Sequence, residues 1–224
     1  MPPITTALLV IDVQNFFLFA TQRALPHIQT LISHFRAHKL PILFTQHGHS
    51  PSDLVIPSPN PLVNKWGVDG SIRIGTTEWE LQPEIAKVVE ETRREDDGGG
   101  GGGGARVSYG RKGKAGGWDG AEWPVIAKDS YDAFVRTTLE EQLRERGVRR
   151  VVLCGTLTDC CVDTTAKGTF NRGFETLIAR EACGAAGERE GKESLRVFER
   201  YYGDVVGVDE VLELVKGEGQ ELRV

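Results

Sequence analysis

A chain of 224 residues, 39% of them apolar and 26% charged, has globular composition and the length to bury a sizeable core. Its 27 Lys and Arg against 32 Asp and Glu leave a net charge of −5, which offers no electrostatic footprint to nucleic acid or to an anionic membrane surface. No apolar run approaches the ~20 residues of a membrane span, no basic patch precedes the short apolar stretch near the N-terminus, and four cysteines, two of them adjacent at Cys160 and Cys161, do not make a disulfide framework. A reduced, cytoplasmic protein whose residues 1–224 form one domain is expected.

Ala7-Leu-Leu-Val-Ile11 is a continuous apolar run ending at Asp12, the pattern of a strand buried on both faces. From Pro26 to Lys39, the residues Ile28, Leu31, Ile32 and Phe35 recur at helical spacing behind a proline in the first turn. His27, His34 and His38 fall on this helix and are expected to be solvated. Pro41 to Thr45 predicts a second strand, Val125 to Ala127 a third, and Val151 to Cys154 a fourth behind a helical pattern from Ala133 to Arg146. Residues 174–178 predict a fifth strand after a helix from Asp159 to Arg172. Asp204 to Val208 adds a sixth behind a helix near Lys192 to Tyr202. Short apolar strands alternating with amphipathic helices predict an α/β protein, a parallel sheet with helices on both faces.

Between the second and third strands lies a long stretch with little periodicity, rich in Pro, Gly and Trp. Its middle carries the charged run Glu90 to Asp97 and then seven glycines, Gly98 to Gly104. Such a run cannot form a core, and a flexible insert around residues 92–117 is expected. It lacks the Gly-Lys-Ser/Thr ending of a phosphate loop and follows no buried strand.

In an open parallel sheet, functional groups gather outside the carboxyl ends of the strands. Asp12 ends the first strand, Lys128 the third, and Cys161 follows the fourth at the start of the next helix. An Asp, a Lys and a Cys at one edge make a nucleophilic apparatus. A helix N-terminus and an ammonium both lower a thiol pKa, and a carboxylate in reach takes the proton and later returns it to a leaving group. Singly, each has a plainer reading: a turn Asp, a solvated Lys, a small buried Cys.

The segments Leu8-Leu-Val-Ile-Asp-Val-Gln-Asn-Phe-Phe17, Ala127-Lys-Asp-Ser-Tyr-Asp-Ala-Phe134 and Gly155-Thr-Leu-Thr-Asp-Cys-Cys-Val-Asp-Thr-Thr-Ala166 resemble, in order and spacing, the three signature blocks of the isochorismatase-like cysteine hydrolases. The resemblance implies a Rossmann-like, three-layer α/β/α fold with a parallel sheet of about six strands, and an Asp-Lys-Cys triad at Asp12, Lys128 and Cys161. Cys161, directly before Val162, matches the nucleophile; Cys160 is its neighbour. The family's non-proline cis peptide falls by position between Thr156 and Leu157, and would aim the amides of Leu157 and Cys161 at one oxyanion.

Two departures refine that implication. Isochorismatases proper, which cleave a vinyl ether, lack the nucleophilic Cys that this chain has, so it resembles the amidase side of the superfamily. Nicotinamidases hold a metal with an Asp-x-His pair after the second strand plus a further His. Here those positions read His47-Gly-His49, and no His follows. A metal is therefore not expected. His47 and His49 are weak ligand candidates, with Asp53 as a conceivable third, and the favoured reading has them lining the pocket and hydrogen-bonding substrate or each other. Phe17, Trp66 and Tyr131 are candidate pocket walls, each with a core-filling alternative.

The reading is a cysteine-dependent hydrolase of a small amide or ureido C–N bond, acting through an acyl-enzyme without organic cofactor. A small-molecule substrate and a homo-oligomer, the latter implied by the family, are the expected partners, with no nucleic acid and no membrane. The alternatives are an isochorismatase-type vinyl-ether hydrolase and a non-catalytic Rossmann-like binding module. Against the second, Asp-Val-Gln-Asn-Phe-Phe follows the first strand in place of a glycine-rich turn.

Overall fold

The computed structural model describes residues 5–96, 125–216 and 218. The glycine run Gly98 to Gly104, Trp118 and Trp123 lie outside the described residues. Six strands form one sheet in the order β3-β2-β1-β4-β5-β6, with every pairing parallel: β1 (Thr5–Ile11), β2 (Ile42–His47), β3 (Val125–Lys128), β4 (Val148–Thr156), β5 (Glu175–Gly184) and β6 (Asp204–Val206). Helices α1 (Leu25–Ala37), α2 (Pro61–Trp66), α3 (Pro83–Asp96), α4 (Leu139–Glu145), α5 (Asp163–Asn171), α6 (Glu188–Tyr201) and α7 (Val208–Val215) complete the chain, with short helical turns at Asn15–Phe17 and Leu18–Thr21. The three-layer Rossmann-like α/β/α architecture expected from the sequence is the one observed.

Alternation along the buried strands divides the core in two. Leu8 and Val10 of β1, with Ile42 and Phe44 of β2, meet α1 through Ile28, Leu31, Ile32 and Phe35, and α7 through Val211 and Val215. Ala7, Leu9 and Ile11 point the other way, onto Leu139 and Leu143 of α4, Ala166 of α5 and Phe198 of α6. Strands buried on both faces have no polar side to show, which is why they read as unbroken apolar runs.

Several boundaries differ from the sequence expectation. Helix α3 occupies part of the stretch expected to lack periodicity, and its backbone stays helical through Asp96, inside the region assigned to a flexible insert. Its apolar anchors among the described side chains are the buried Ile85 and Val89 with the half-buried Val88, so the helical signal is diluted among charged residues. The helix expected from Ala133 begins at Leu139, because Thr137 donates to the Ala133 carbonyl and Asp132 caps Phe134, which winds the preceding residues into turns. Val208 starts α7 and does not end β6. His34 is half-buried: its Nε2 lies 3.0 Å from the Leu212 carbonyl, joining α1 to α7, which corrects the expectation of a solvated ring. No helix among the described residues is long and apolar enough to cross a membrane.

β4 presses on β1 at Gly155, whose φ is +115° and whose missing Cβ would stand 2.1 Å from the Ile11 carbonyl oxygen. Neither the dihedral nor the space accepts a side chain. Gly155→Ala is expected to destabilise the fold by about 3 kcal/mol or more, read as a drop in the urea midpoint.

Candidate active site

In this strand order the connections change face between β1 and β4, and the crevice outside the carboxyl ends of the strands opens there. Asp12, one residue beyond β1, has φ +46° and is fully buried. Thr45 of β2 brackets it: the Asp12 amide donates to Thr45 Oγ1 at 3.1 Å, and that hydroxyl donates to Asp12 Oδ1 at 2.6 Å. Oδ2 meets Nζ of Lys128, the last residue of β3, at 2.7 Å, with both side chains fully shielded from solvent. The contact is an ion pair by distance, and Oδ2 has no hydrogen bond of good geometry. Lys128 Nζ donates instead to the Ser130 carbonyl at 2.9 Å and leans on that of Tyr131 at 3.4 Å.

Cys161 lies in a π-type turn, Thr158–Val162, between β4 and α5, and is buried. The Leu157 carbonyl winds this turn by accepting the amides of Cys160 (3.0 Å) and Val162 (3.1 Å), and the Thr156–Leu157 peptide is cis. Thr156 Oγ1 donates to the Asp12 carbonyl at 2.9 Å, tying the turn to the end of β1. The structure thus brings Asp12, Lys128, Cys161 and Thr156 together. Tyr131 joins them, its carbonyl accepting from Lys128 and its hydroxyl accepting the Trp66 indole N–H at 2.6 Å. Trp66 itself is 58% exposed, more rim than wall. Phe17 is buried edge-on against Phe16.

The thiol is not set as the sequence suggested. A hydrogen bond shared with Cys160, and then burial, push the Cys161 pKa well up; Lys128 opposes them and Asp12 adds to them. Cys160 moves the other way, lowered first by that same hydrogen bond. Burial works to lower the Lys128 pKa, but Asp12 and Cys161 outweigh it and the ammonium is held above its ordinary range. At rest, then, Cys161 carries its proton in front of an ammonium already neutralised by Asp12. The expectation of a low-pKa nucleophile fails because the hydrogen bond shared with Cys160 and the burial of the thiol outweigh the lowering that Lys128 still supplies.

Residues that sequence reasoning left unassigned support this edge. The Gln14 side chain donates to the His47 and Trp79 carbonyls at 2.9 and 2.7 Å, and accepts the His47 amide at 2.8 Å. Gln46 donates to the same Trp79 carbonyl. The only sequence signal for Gln14 was its place inside the first signature block.

His47 ends β2 in register with Lys128, and its Nε2 lies 3.2 Å from that of His49. Burial and then the Lys128 charge lower the His47 pKa well below its ordinary 6.5, and burial lowers that of His49. The unfolded chain therefore takes up these protons before the folded one. Stability is full above about pH 6.5 and falls as pH drops through that value. A thermal melt at pH 5 is expected to show a lower Tm than at pH 7.5, and His47→Asn to lessen the difference. As a metal site the pair does not fit. No third His, Cys, Asp or Glu joins it among the described residues, and Asp53 accepts from Ser50 instead. Metal-bound imidazoles also donate their second nitrogen to a partner, and both Nδ1 atoms here lack one.

Residues 6–93 and 119–210 match the family described as the Isochorismatase domain. Over 183 residues the chain is 30% identical to Nicotinamidase 3 of Arabidopsis thaliana, covering 81% of this chain and 74% of that one. Over 233 residues it is 23% identical to the ureidoacrylate amidohydrolase RutB of Pseudomonas syringae pv. syringae, covering 94% and 83%. Among solved structures, a cysteine hydrolase from Pseudomonas syringae pv. phaseolicola superposes with a TM-score of 0.72 at 18% identity, covering 97% of this chain and 95% of that one. The nicotinamidase of Staphylococcus aureus gives 0.65 at 20%, covering 91% and 99%. At these identities the two structures speak for the fold.

Proposed function

Because the chain belongs to the isochorismatase-like hydrolase family, we propose that it hydrolyses a small amide or ureido C–N bond through a covalent thioester on Cys161. One observation carries the reading: a fully buried Asp12–Lys128 ion pair at 2.7 Å stands at the same sheet edge as the buried Cys161 thiol, with the Lys128 ammonium stabilised by both. Names of two relatives, a nicotinamidase and a ureidoacrylate amidohydrolase, support the bond type.

As Cys161 Sγ attacks the substrate carbonyl carbon, its proton passes to Asp12 Oδ2, the atom with a lone pair to spare. The carbonyl oxygen becomes an oxyanion facing the amides of Leu157 and Cys161 in the turn. Collapse breaks the C–N bond, and Asp12 returns the proton to the departing ammonia or amine. Water, its proton drawn to Asp12, then cleaves the thioester, releasing the acid and restoring the thiol. Lys128 keeps carboxylate and thiol in register throughout, its charge balanced at each step by whichever neighbour is anionic.

The test screens nicotinamide, ureidoacrylate and other small carboxamides and ureides for ammonia release, with the protein dialysed against EDTA beforehand. Turnover that survives chelation, and an acid-quenched mass increase equal to the acyl group on the peptide holding Cys161, are expected. Absence of ammonia from every compound, or full loss with EDTA restored by zinc, overturns the reading.

A further inference from the structure

Both hydrogen bonds of the Thr45 hydroxyl go to one residue. Thr45 is buried on β2, one place beyond the Val10–Phe44 pairing and so level with the end of β1. The Asp12 amide donates to its Oγ1 at 3.1 Å, and Oγ1 donates to Asp12 Oδ1 at 2.6 Å. The sense of this exchange is fixed. A backbone N–H can only donate, so it occupies a lone pair of the hydroxyl and leaves the hydroxyl proton to seek an acceptor. Among the described residues, Asp12 Oδ1 is the acceptor it finds. The remainder of Asp12 is tied down as well. Its carbonyl accepts the Gln14 amide at 2.8 Å and Thr156 Oγ1 at 2.9 Å, which holds the residue at its φ of +46°.

The two carboxylate oxygens are therefore unequal. A proton on Oδ1 would face the Thr45 O–H across 2.6 Å, and one of those two donors would be left without an acceptor in a buried site. A proton on Oδ2 leaves Oδ1 as the carbonyl oxygen of the acid, and the Thr45 bond survives the change. Oδ2 also lies 2.7 Å from the Lys128 ammonium, on which Cys161 acts too. Once Oδ2 is protonated, that ammonium keeps the Ser130 carbonyl at 2.9 Å and has the anionic sulfur to balance its charge.

We infer that Thr45 is a positioning residue that makes Oδ2 the proton-transfer atom of Asp12, holding it beside the ammonium that Cys161 shares. This rests on the amide-hydrolase reading and adds the group that fixes its acid–base step. As the bond from sulfur to the substrate carbon forms, the Cys161 S–H bond breaks and its proton goes to Oδ2. The same proton bonds the departing nitrogen as the C–N bond breaks. In both halves Thr45 donates to Oδ1, first as part of a carboxylate and then as the carbonyl oxygen of the acid. Without the hydroxyl, the carboxyl plane is free to turn and the Asp12 amide loses its acceptor. The groups that meet the substrate stay where they were, so proton return to the leaving group suffers and binding does not.

The test compares Thr45→Val, which keeps the shape and removes the hydroxyl, with Thr45→Ser, which keeps the hydroxyl. Two substrates are used: the screened compound that releases ammonia fastest, and the 4-nitrophenyl ester of its acyl group, whose phenolate departs without a proton. On the first, Thr45→Val should lower kcat about 30-fold or more while KM stays within about threefold, and Thr45→Ser should stay within about threefold of the parent in both. On the ester, the Thr45→Val deficit should shrink to about a third or less. A general disturbance of the site would lower both substrates alike, raise KM and gain nothing from serine. Should a thermal melt show Thr45→Val unfolded, Thr45→Ala carries the same expectations. Parent-like ammonia release without the hydroxyl, serine as poor as valine, equal deficits on the two substrates, or a rise in KM at constant kcat would each overturn the role of Thr45 and leave the hydrolase reading standing. Hydrolysis of no amide or ureide by the unsubstituted protein overturns both.

Discussion

Cys161→Ser is expected to lower kcat by about 10⁴-fold or more, with the melting temperature nearly unchanged. The loss follows from the resting state. The wild-type thiol is neutral and gives its proton to Asp12 only as sulfur attacks, and a serine hydroxyl is too weak an acid to make that transfer. Its Oγ would also sit in a turn shaped for sulfur, behind an ammonium shared by Asp12 and the Ser130 carbonyl. The neighbour provides the control. Cys160 is the more acidic and more accessible of the two thiols, so limiting iodoacetamide is expected to label it first, reversing what position alone would suggest. Peptide mapping after partial alkylation, followed by turnover, separates the roles: Cys160→Ala keeps hydrolysis within about tenfold, and inactivation then tracks carbamidomethyl on Cys161. Full turnover by Cys161→Ser would end the covalent mechanism.

Lys128→Met should be the costliest single change for the fold, destabilising it by about 3–5 kcal/mol. It leaves the Asp12 carboxylate buried with only Thr45 as a neutral partner. Asp12→Asn strands the ammonium in the same way, although two backbone carbonyls still accept from it, so its cost should be smaller. Asparagine is the substitution of choice because it tolerates the positive φ at position 12. In the double variant Asp12→Asn/Lys128→Met no charge remains, and most of the lost stability should return while hydrolysis stays below one part in about 10³. Chemical denaturation of the four proteins gives the coupling directly. If the double variant is as unstable as the sum of the singles, the pair is not the isolated buried couple that the geometry describes.

Much of this molecule is written locally. Apolar runs such as Ala7 to Ile11 and Val151 to Cys154 can only be strands covered on both sides, and the alternation with Ile28-Leu31-Ile32-Phe35 and its successors places helices over them. That was enough for the layers and for six strands. It was also enough to see that Asp12, Lys128 and Cys161 stand at the carboxyl edge, since each follows the end of a strand. Length was harder. β4 and β5 extend to Thr156 and Gly184 because a neighbouring strand pairs with them there, and α3 forms on Ile85, Val88 and Val89 because the core accepts them.

What the residues do to one another was beyond the sequence. The direction of the Cys161 pKa is set by the hydrogen bond with Cys160 and by burial, which outweigh the Lys128 charge, and all three exist only in the packed turn. The His47-Gly-His49 spacing is equally compatible with two metal ligands and with a ring-to-ring hydrogen bond. Only the placement of Ser50 against Asp53 and the two unmet Nδ1 atoms chooses between them. Periodicity is a property of neighbours along the chain and survives in the sequence. Charge balance and hydrogen-bond satisfaction are properties of neighbours in space, and they exist only once the sheet has brought the ends of β1, β2, β3 and β4 to one edge.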